Sequence, residues 1–403
     1  MCCPGEQISK QITKGCPQGS ICGPIFWDIT MGELLQGLDN MNISAVNIAY
    51  ADDLLVLIAG NSRPELEQKA QNINTQLLNW CNTRKLKISS EKSTYLIMKG
   101  SFKRDPTIRL NDKTVRRSKS VRYLGITISE RLQYREHIEQ VCSRAKTTMH
   151  MLSRLPQRDY RFPLHIIRGY MTAIMTSIVG YGSSVWAEKA KQIKPRNKLN
   201  STQRGVLVAL TGATRTTSAD ALQVIAGVLP MDLEVLKRAA EYWLRKGEIG
   251  KMDALINMRA NSKVQIRNRI HDMWQTRWDD SEKGRRVHHL LPNIEERLQM
   301  KYFSPSPGLV HYITGHGPYT EYLYNHGLSE TNICNCGETG TPEHVMFHCT
   351  ALQGVTAQQR LALAEADIRN ILHDETSNKI LNGLARIIHT TTINGYLQSR
   401  ITG

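Results

Sequence analysis

Two adjacent aspartates, Asp52 and Asp53, lie between apolar runs at residues 46–48 and 54–58. This pattern predicts a β-hairpin with both carboxylates at its tip, where turn residues project their side chains freely. Carboxylate oxygens bind hard divalent cations. Two such ions about 4 Å apart could stabilise the attacking and leaving oxygens of an in-line displacement. This is the chemistry of magnesium-dependent nucleotidyl transfer. The alternative is a solvated turn, because aspartate is a favoured turn residue.

Three further motifs flank the aspartates. Residues 14–20 (Lys-Gly-Cys-Pro-Gln-Gly-Ser) form a loop whose glycines and proline constrain the backbone beside one amide side chain, Gln18. Lys92 precedes a strand-like run at residues 95–98, and Tyr123-Leu124-Gly125 stands inside another at residues 121–126. A loop rich in glycine lets a bulky ligand come close to the backbone.

The order and spacing of these four motifs resemble the reverse-transcriptase palm. The residues of these motifs are most similar to those of the Pol polyproteins of non-LTR retrotransposons, in particular the type-1 elements that insert into ribosomal RNA genes. The resemblance implies Mg²⁺ ligands at Asp52 and Asp53, nucleotide or template contacts at Pro17, Gln18 and Gly19, a triphosphate contact at Lys92, and a primer grip at Tyr123, Leu124 and Gly125. It also implies two Mg²⁺ ions, template RNA, target DNA and dNTPs as partners, and a nuclear location.

The family needs a third carboxylate on a strand that precedes the glycine-rich loop by several tens of residues. Only fourteen residues precede Gly15 here, so we expect the chain to be the C-terminal fragment of a longer Pol protein, with its endonuclease upstream. Asp28 and Glu33 fall on a predicted helix after Pro24 and are weak substitutes. We therefore expect residues 1–403 alone to bind nucleic acid without extending a primer.

Composition agrees with a nucleic-acid partner. Lysine and arginine total 52 against 36 acidic residues, a formal charge of +16, and such a surface attracts polyanions in a salt-dependent way. Nine scattered cysteines argue against a secreted disulfide framework. No secretory signal and no apolar run of membrane-spanning length is present in the sequence.

The expected fold class is α+β, in three parts. Residues 1–130 would form a partial palm, an antiparallel sheet with helices. Residues 131–260 would form a helical thumb and connector, and residues 261–403 a basic nucleic-acid-binding region with a zinc motif at residues 334–349. A capping box at Ser62 and Glu65 predicts the start of one helix. The helical spacing of its apolar residues predicts that Trp80 and Cys81 lie on the buried face.

A second helix is predicted from apolar residues at helical spacing between Ile138 and Leu155. Its basic residues either meet phosphates or form a solvated face; they are Arg144, Lys146, His150 and Arg154. Trp274 and Trp278, in an arginine-dense segment, either stack on bases or lie in the core, and tryptophans four residues apart on a helix favour the core.

Cys334, Cys336, His344 and Cys349 form a Cys-x-Cys-x₇-His-x₄-Cys pattern. Three thiolates and one imidazole make a closed structural zinc site. Gly337 and Gly340 allow the tight turn, and the same pattern stands near the C-terminus of the resembling proteins. His348 is the alternative fourth ligand, and reduced buried cysteines are the alternative to any metal.

These observations lead to one functional hypothesis and one competitor. The hypothesis is RNA-directed DNA synthesis from the 3′-hydroxyl of a nicked target, carried out by the intact Pol protein. The competitor is a catalytically inactive, retrotransposon-derived protein that only binds nucleic acid.

Overall fold

The computed structural model describes residues 15, 16, 19–43, 45–153, 164–351, 360, 363 and 366–402. The chain divides into two compact units, Met1–Gln133 and Tyr134–Gly403. No helix in the described part of the chain is long and apolar enough to cross a membrane.

The described part of the first unit combines two helices with short strands. Its helices are α1 (Gly23–Asp39) and α2 (Arg63–Thr83). Its strands are β1 (Ala45–Tyr50), β2 (Asp53–Ile58), β3 (Thr94–Tyr95), β4 (Arg109–Leu110), β5 (Lys113–Thr114), β6 (Arg116–Arg117), β7 (Ser120–Tyr123) and β8 (Ile126–Ser129). They pair as four two-stranded sheets: β1 with β2, β4 with β5, and β7 with β8 antiparallel, and β3 with β6 parallel.

The mixed fold class is confirmed, but the described residues hold no single antiparallel sheet of the expected palm kind. The strand-like run at residues 95–98 contributes only Tyr95 to β3, and the chain continues without regular pairing.

Helix α2 begins where the sequence predicts. The Ser62 hydroxyl accepts the backbone N–H of Glu65, and the Glu65 carboxylate accepts the backbone N–H of Asn61 at 2.8 Å. The first bond satisfies an amide that the first turn of a helix leaves without a partner, and the second ties the residue before the cap to that turn. At the other end of the helix Cys81 is buried and Trp80 is half-buried, so both belong to the apolar side as predicted.

One face of the β1–β2 hairpin covers a small core. Its buried centre consists of Met31, Leu34, Leu38 and Ile73, contributed by α1 and α2. Leu54, Val56 and Ile58 of β2 pack on this centre because successive strand residues point to opposite faces. The core therefore holds the hairpin from below and leaves its tip in solvent.

In the described part of the second unit the regular elements are helices, and one isolated β-bridge pairs Ile333 with Thr339. The helices are α3 (Arg135–Ser153), α4 (Leu164–Tyr170), α5 (Thr176–Gly180), α6 (Ser183–Trp186), α7 (Ile193–Thr211), α8 (Ala219–Ala226), α9 (Met231–Arg245), α10 (Ile249–Ile256), α11 (Lys263–Asp280), α12 (Arg285–Leu290), α13 (Ile294–Gln299), α14 (Pro307–Thr314), α15 (Thr320–Asn325), α16 (Ile368–His373) and α17 (Glu375–Thr402). Short π-helices span Met171–Met175 and His344–His348, and a 3₁₀ turn spans Ala187–Lys191.

Two predictions about side-chain placement are settled here. Helix α3 buries Ile138, Cys142 and Met149, as predicted, and Arg144, Lys146 and His150 are exposed. Arg154 and Leu155 lie outside the described residues. Trp274 and Trp278 of α11 are only 2% and 1% exposed, so the core interpretation is confirmed and the base-stacking one is wrong.

A buried polar network joins four helices of the second unit. The carboxylate of Asp232, 1% exposed at the start of α9, accepts two bonds from the Arg277 guanidinium of α11, at 2.9 and 2.8 Å. It also accepts the Asn200 amide of α7 at 2.8 Å. The amides of Gln203 and Gln223 extend the network. A buried carboxylate is stable only when paired in this way.

We therefore predict that Arg277→Met lowers the free energy of unfolding by about 3 kcal/mol, because it leaves the Asp232 charge buried without its cation. Arg267→Met, at an exposed position of the same helix, should change it by less than about 0.5 kcal/mol. Urea denaturation followed by circular dichroism measures both. Equal effects of the two substitutions would contradict the structural role of this pair.

Candidate functional site

The two aspartates occupy the tip of the β1–β2 hairpin. Tyr50 pairs with Asp53, so the turn consists of Ala51 and Asp52. Both carboxylates are exposed. Ala51 has a φ of 51°, a left-handed conformation that residues other than glycine rarely adopt and that recurs at functional turns. The predicted hairpin is confirmed, and its tip presents two negative charges to solvent.

Helix α1 anchors this tip. The indole N–H of Trp27 donates a 2.8 Å hydrogen bond to the carbonyl oxygen of Ala51. The bond joins residues 24 positions apart and holds the strained turn against the helix. Sequence reasoning missed it, because an indole N–H carries no sign of its distant partner.

A second hairpin carries the predicted primer-grip residues. Tyr123 pairs with Ile126, so Leu124 and Gly125 form the turn, and their φ angles of 46° and 81° suit the right-handed twist of the strands. Burial raises the pKa of the Tyr123 hydroxyl, and the nearby negative charge of Asp53 raises it further. This buried hydroxyl has no hydrogen-bond partner among the described residues. Tyr123 and Asp53 therefore lie within electrostatic range of each other.

The remaining predicted residues are placed less fully. Lys92 is exposed in the turn before β3, and its backbone N–H donates to the Ser89 hydroxyl at 3.3 Å. Gly19 is exposed with a φ of 85°, whereas Pro17 and Gln18 lie outside the described residues.

The described residues provide no third acidic ligand beside Asp52 and Asp53. Asp28 is exposed on α1, and Glu33 forms an ion pair with Arg84.

The second candidate site is the cysteine and histidine cluster. One ligand atom from each of Cys334, Cys336, His344 and Cys349 lies within 4.8 Å of all the others, so the group could hold a metal ion. The sulfurs of Cys334 and Cys349 are 3.5 Å apart, and the sulfur of Cys336 is 3.0 Å from Nε2 of His344.

The backbone shapes this cluster through two tight turns. The Gly337 N–H donates to the Cys334 carbonyl at 2.9 Å, and Gly337 takes a φ of 94°. The Cys349 N–H donates to the His344 carbonyl at 2.8 Å, which is the i to i+5 bond of a π-turn. That turn brings His344 and Cys349 to the same side, as the sequence required. At Gly340 any side chain would collide with Thr320.

The thiols have different electrostatic surroundings. A hydrogen bond from the backbone of Glu338 lowers the pKa of Cys336, whereas burial raises the pKa of Cys349 to about 11. A bound cation would favour the thiolate form of both. His348 is exposed and is not part of the cluster, so the imidazole that lies with the three thiols is that of His344.

A known protein family matches the first part of the chain. Residues 3–128 match the family model described as reverse transcriptase (RNA-dependent DNA polymerase). This range contains the aspartate hairpin, Lys92 and the Tyr123 turn.

Several curated proteins are similar over most of the chain. Two Pol polyproteins of type-1 retrotransposable elements R1 from Nasonia vitripennis are 32% and 33% identical over 83% and 80% of this chain, and the matches cover 85% and 98% of their own lengths. A putative 115 kDa protein of element R1DM from Drosophila melanogaster is 35% identical over 82% of this chain. The match spans only 33% of that Drosophila protein. No solved structure matches the chain.

The Trp27 anchor leads to a test of the hairpin tip. Trp27→Phe keeps the ring and removes the N–H donor, and a net hydrogen bond contributes about 1 kcal/mol. We expect the amides of residues 49–54 to exchange hydrogen for deuterium about three- to tenfold faster. Trp80→Phe is the matched control, since the Trp80 indole N–H has no hydrogen-bond partner in the described structure. Identical exchange in the two variants would show that the bond does not hold the tip.

Proposed function

The chain belongs to the Pol polyproteins of type-1 (R1) retrotransposable elements, and we propose that it carries part of the catalytic centre of their RNA-directed DNA polymerase. The observation that supports this most directly is the hairpin tip. It presents the adjacent carboxylates of Asp52 and Asp53 to solvent, with Tyr123 of the second hairpin within electrostatic range of Asp53.

In this proposal the β1–β2 hairpin and its two helices form part of the palm. Asp52 and Asp53 would hold Mg²⁺, and two such ions would supply charge stabilisation for the attacking 3′-hydroxyl and the leaving pyrophosphate. The two carboxylates fit this task, because oxygen ligands with free access suit magnesium, which retains several waters and binds substrate phosphates.

The other residues position the substrates. Lys92 is exposed and can neutralise the leaving pyrophosphate, and Tyr123, Leu124 and Gly125 hold the primer end on a rigid two-residue turn. Pro17, Gln18 and Gly19 contact the template or the nucleotide. The partners are template RNA, dNTPs and a chromosomal target DNA, which requires entry into the nucleus.

We also propose that the cysteine and histidine cluster binds one structural Zn²⁺. Three sulfurs and one imidazole nitrogen are the donor set of closed zinc sites, and the four atoms already converge. The segment forms few regular bonds of its own, so the ion would supply much of its local folding free energy.

The polymerase proposal predicts a clean separation of binding from chemistry. In an R1 Pol protein that contains this chain, Asp52→Asn should reduce RNA-templated primer extension roughly a thousandfold, because it weakens metal binding at the reacting atoms. Affinity for the RNA template should stay within about twofold. Asp28→Asn, on exposed helix surface, is the control. Normal extension by the Asp52→Asn protein would overturn the assignment.

The zinc proposal predicts about one zinc per chain in protein purified under reducing conditions. Cys336→Ser should lose the metal and speed hydrogen exchange in residues 330–352, while His348→Ala should retain both metal and protection. Plasma emission spectrometry and mass-resolved exchange measure these outcomes. A metal content far below one, or equal loss in both variants, would refute the site.

A further inference from the structure

A second surface of the helical unit brings together aromatic rings, imidazoles and an arginine. It consists of Arg215, Thr216, His316, Tyr322 and His326, which we call the Tyr322 surface. Arg215 and Thr216 belong to the turn between α7 and α8, whereas the other three residues follow α14 or lie in and after α15. They are about a hundred positions apart in the sequence.

Hydrogen bonds through one hydroxyl join the two segments. Oγ1 of Thr216 lies 2.6 Å from the Tyr322 hydroxyl and 3.0 Å from Nδ1 of His316. Thr216 therefore links the phenol of Tyr322 and the imidazole of His316 through one oxygen atom.

The rings of Tyr322 and His326 are stacked. Their centroids are 4.1 Å apart with a tilt of 33°, and Nδ1 of His326 bonds to the Tyr322 carbonyl oxygen at 2.8 Å. That local bond fixes the orientation of the imidazole. His326 is exposed, so the stack presents an aromatic surface to solvent.

The turn that carries Arg215 is held rigidly. The Arg204 guanidinium donates to the carbonyl oxygens of Thr217, at 2.8 Å, and of Arg215. The hydroxyl of Thr214 contacts those of Thr216 and Thr217 at 2.9 and 3.1 Å. The Arg215 side chain itself is exposed and forms no hydrogen bond or ion pair with any described residue. Because the backbone of this turn is fixed, binding through Arg215 costs side-chain freedom and little further ordering of the backbone.

The surface is also attached to the cysteine and histidine cluster. The Thr320 hydroxyl, at the start of α15, donates to the Asn332 carbonyl at 3.1 Å, and the Glu321 N–H donates to the Gly340 carbonyl at 3.3 Å. Helix α15, which carries Tyr322, is therefore joined by two hydrogen bonds to the loop that contains the cysteine and histidine cluster.

We propose that the Tyr322 surface binds single-stranded nucleic acid, with a base stacked on the exposed ring of His326 and a neighbouring phosphate bound by Arg215. Stacked rings beside an arginine suit an unpaired base and its backbone, because every base has a π-face and the phosphate is anionic. A duplex keeps its bases inside and offers no such face. This inference rests on the proposed function only in requiring that the protein handles single strands.

Anisotropy titration of the full chain with fluorescein-labelled 12-nucleotide strands tests the proposal, with oligo(U) and oligo(dT) as separate probes. His326→Ala should weaken binding about fivefold or more, and His326→Phe should restore it, since stacking needs a ring and not an imidazole. Arg215→Gln should weaken binding about threefold and lower the salt dependence by about one counterion. A 12-base-pair duplex should bind equally to all variants.

Arg245→Gln and His373→Ala, both at exposed positions, are the matched controls and should bind like the unaltered chain. Photocrosslinking with 4-thiouridine strands should place the adduct within residues 316–328. Three results would each overturn the proposal. The first is a His326→Phe variant that binds as weakly as His326→Ala, and the second is an Arg215→Gln variant that binds as tightly as Arg245→Gln. The third is crosslinked adducts found only outside residues 316–328. Primer extension tests the hairpin tip and photocrosslinking tests this surface, so the polymerase proposal and this one fail separately.

Discussion

Two carboxylates on neighbouring residues repel each other, by about 1 kcal/mol at 4 Å in water and more where solvent is displaced. The first unit must nevertheless hold Asp52 and Asp53 together at one place. It does so from below: the core of α1 and α2 supports the strands, and the Trp27 indole holds the Ala51 carbonyl. Both carboxylates remain exposed to water, and a cation that binds between them would relieve their repulsion.

The second unit solves a different problem. Its helices bury several polar groups, among which Asp232 pairs with Arg277 and the amide of Gln223 donates to that of Gln203. These bonds fix the relative positions of α7, α9 and α11. Outside this buried network, polar residues on two distant segments meet at the surface, where Thr216 joins Tyr322 and His316. Rigid helices thus carry surfaces that are available to nucleic acid.

Sequence reasoning succeeded where the signal is local. Three features depend on residues within about twenty positions of each other: the aspartate hairpin, the Ser62 cap and the spacing from Cys334 to Cys349. Residues this close in sequence follow known turn, helix-cap and metal-ligand preferences. It failed for contacts between segments that are distant in the sequence. The bond from Trp27 to Ala51, the division of the strands into four small sheets, and the Tyr322 surface follow from tertiary pairing that no periodicity encodes. Buried Trp274 and Trp278 show that an arginine-rich, aromatic composition does not identify a binding face.

The central claim is that the tip of the β1–β2 hairpin binds divalent metal. Iron(II) replaces magnesium at carboxylate sites and, with ascorbate and peroxide, cuts the backbone beside it. In zinc-loaded residues 1–403, the account predicts cuts at residues 50–54 and near Tyr123, removed by excess Mg²⁺ and by Asp53→Asn. Cleavage that spares both hairpins, or that neither Mg²⁺ nor the substitution removes, would contradict it.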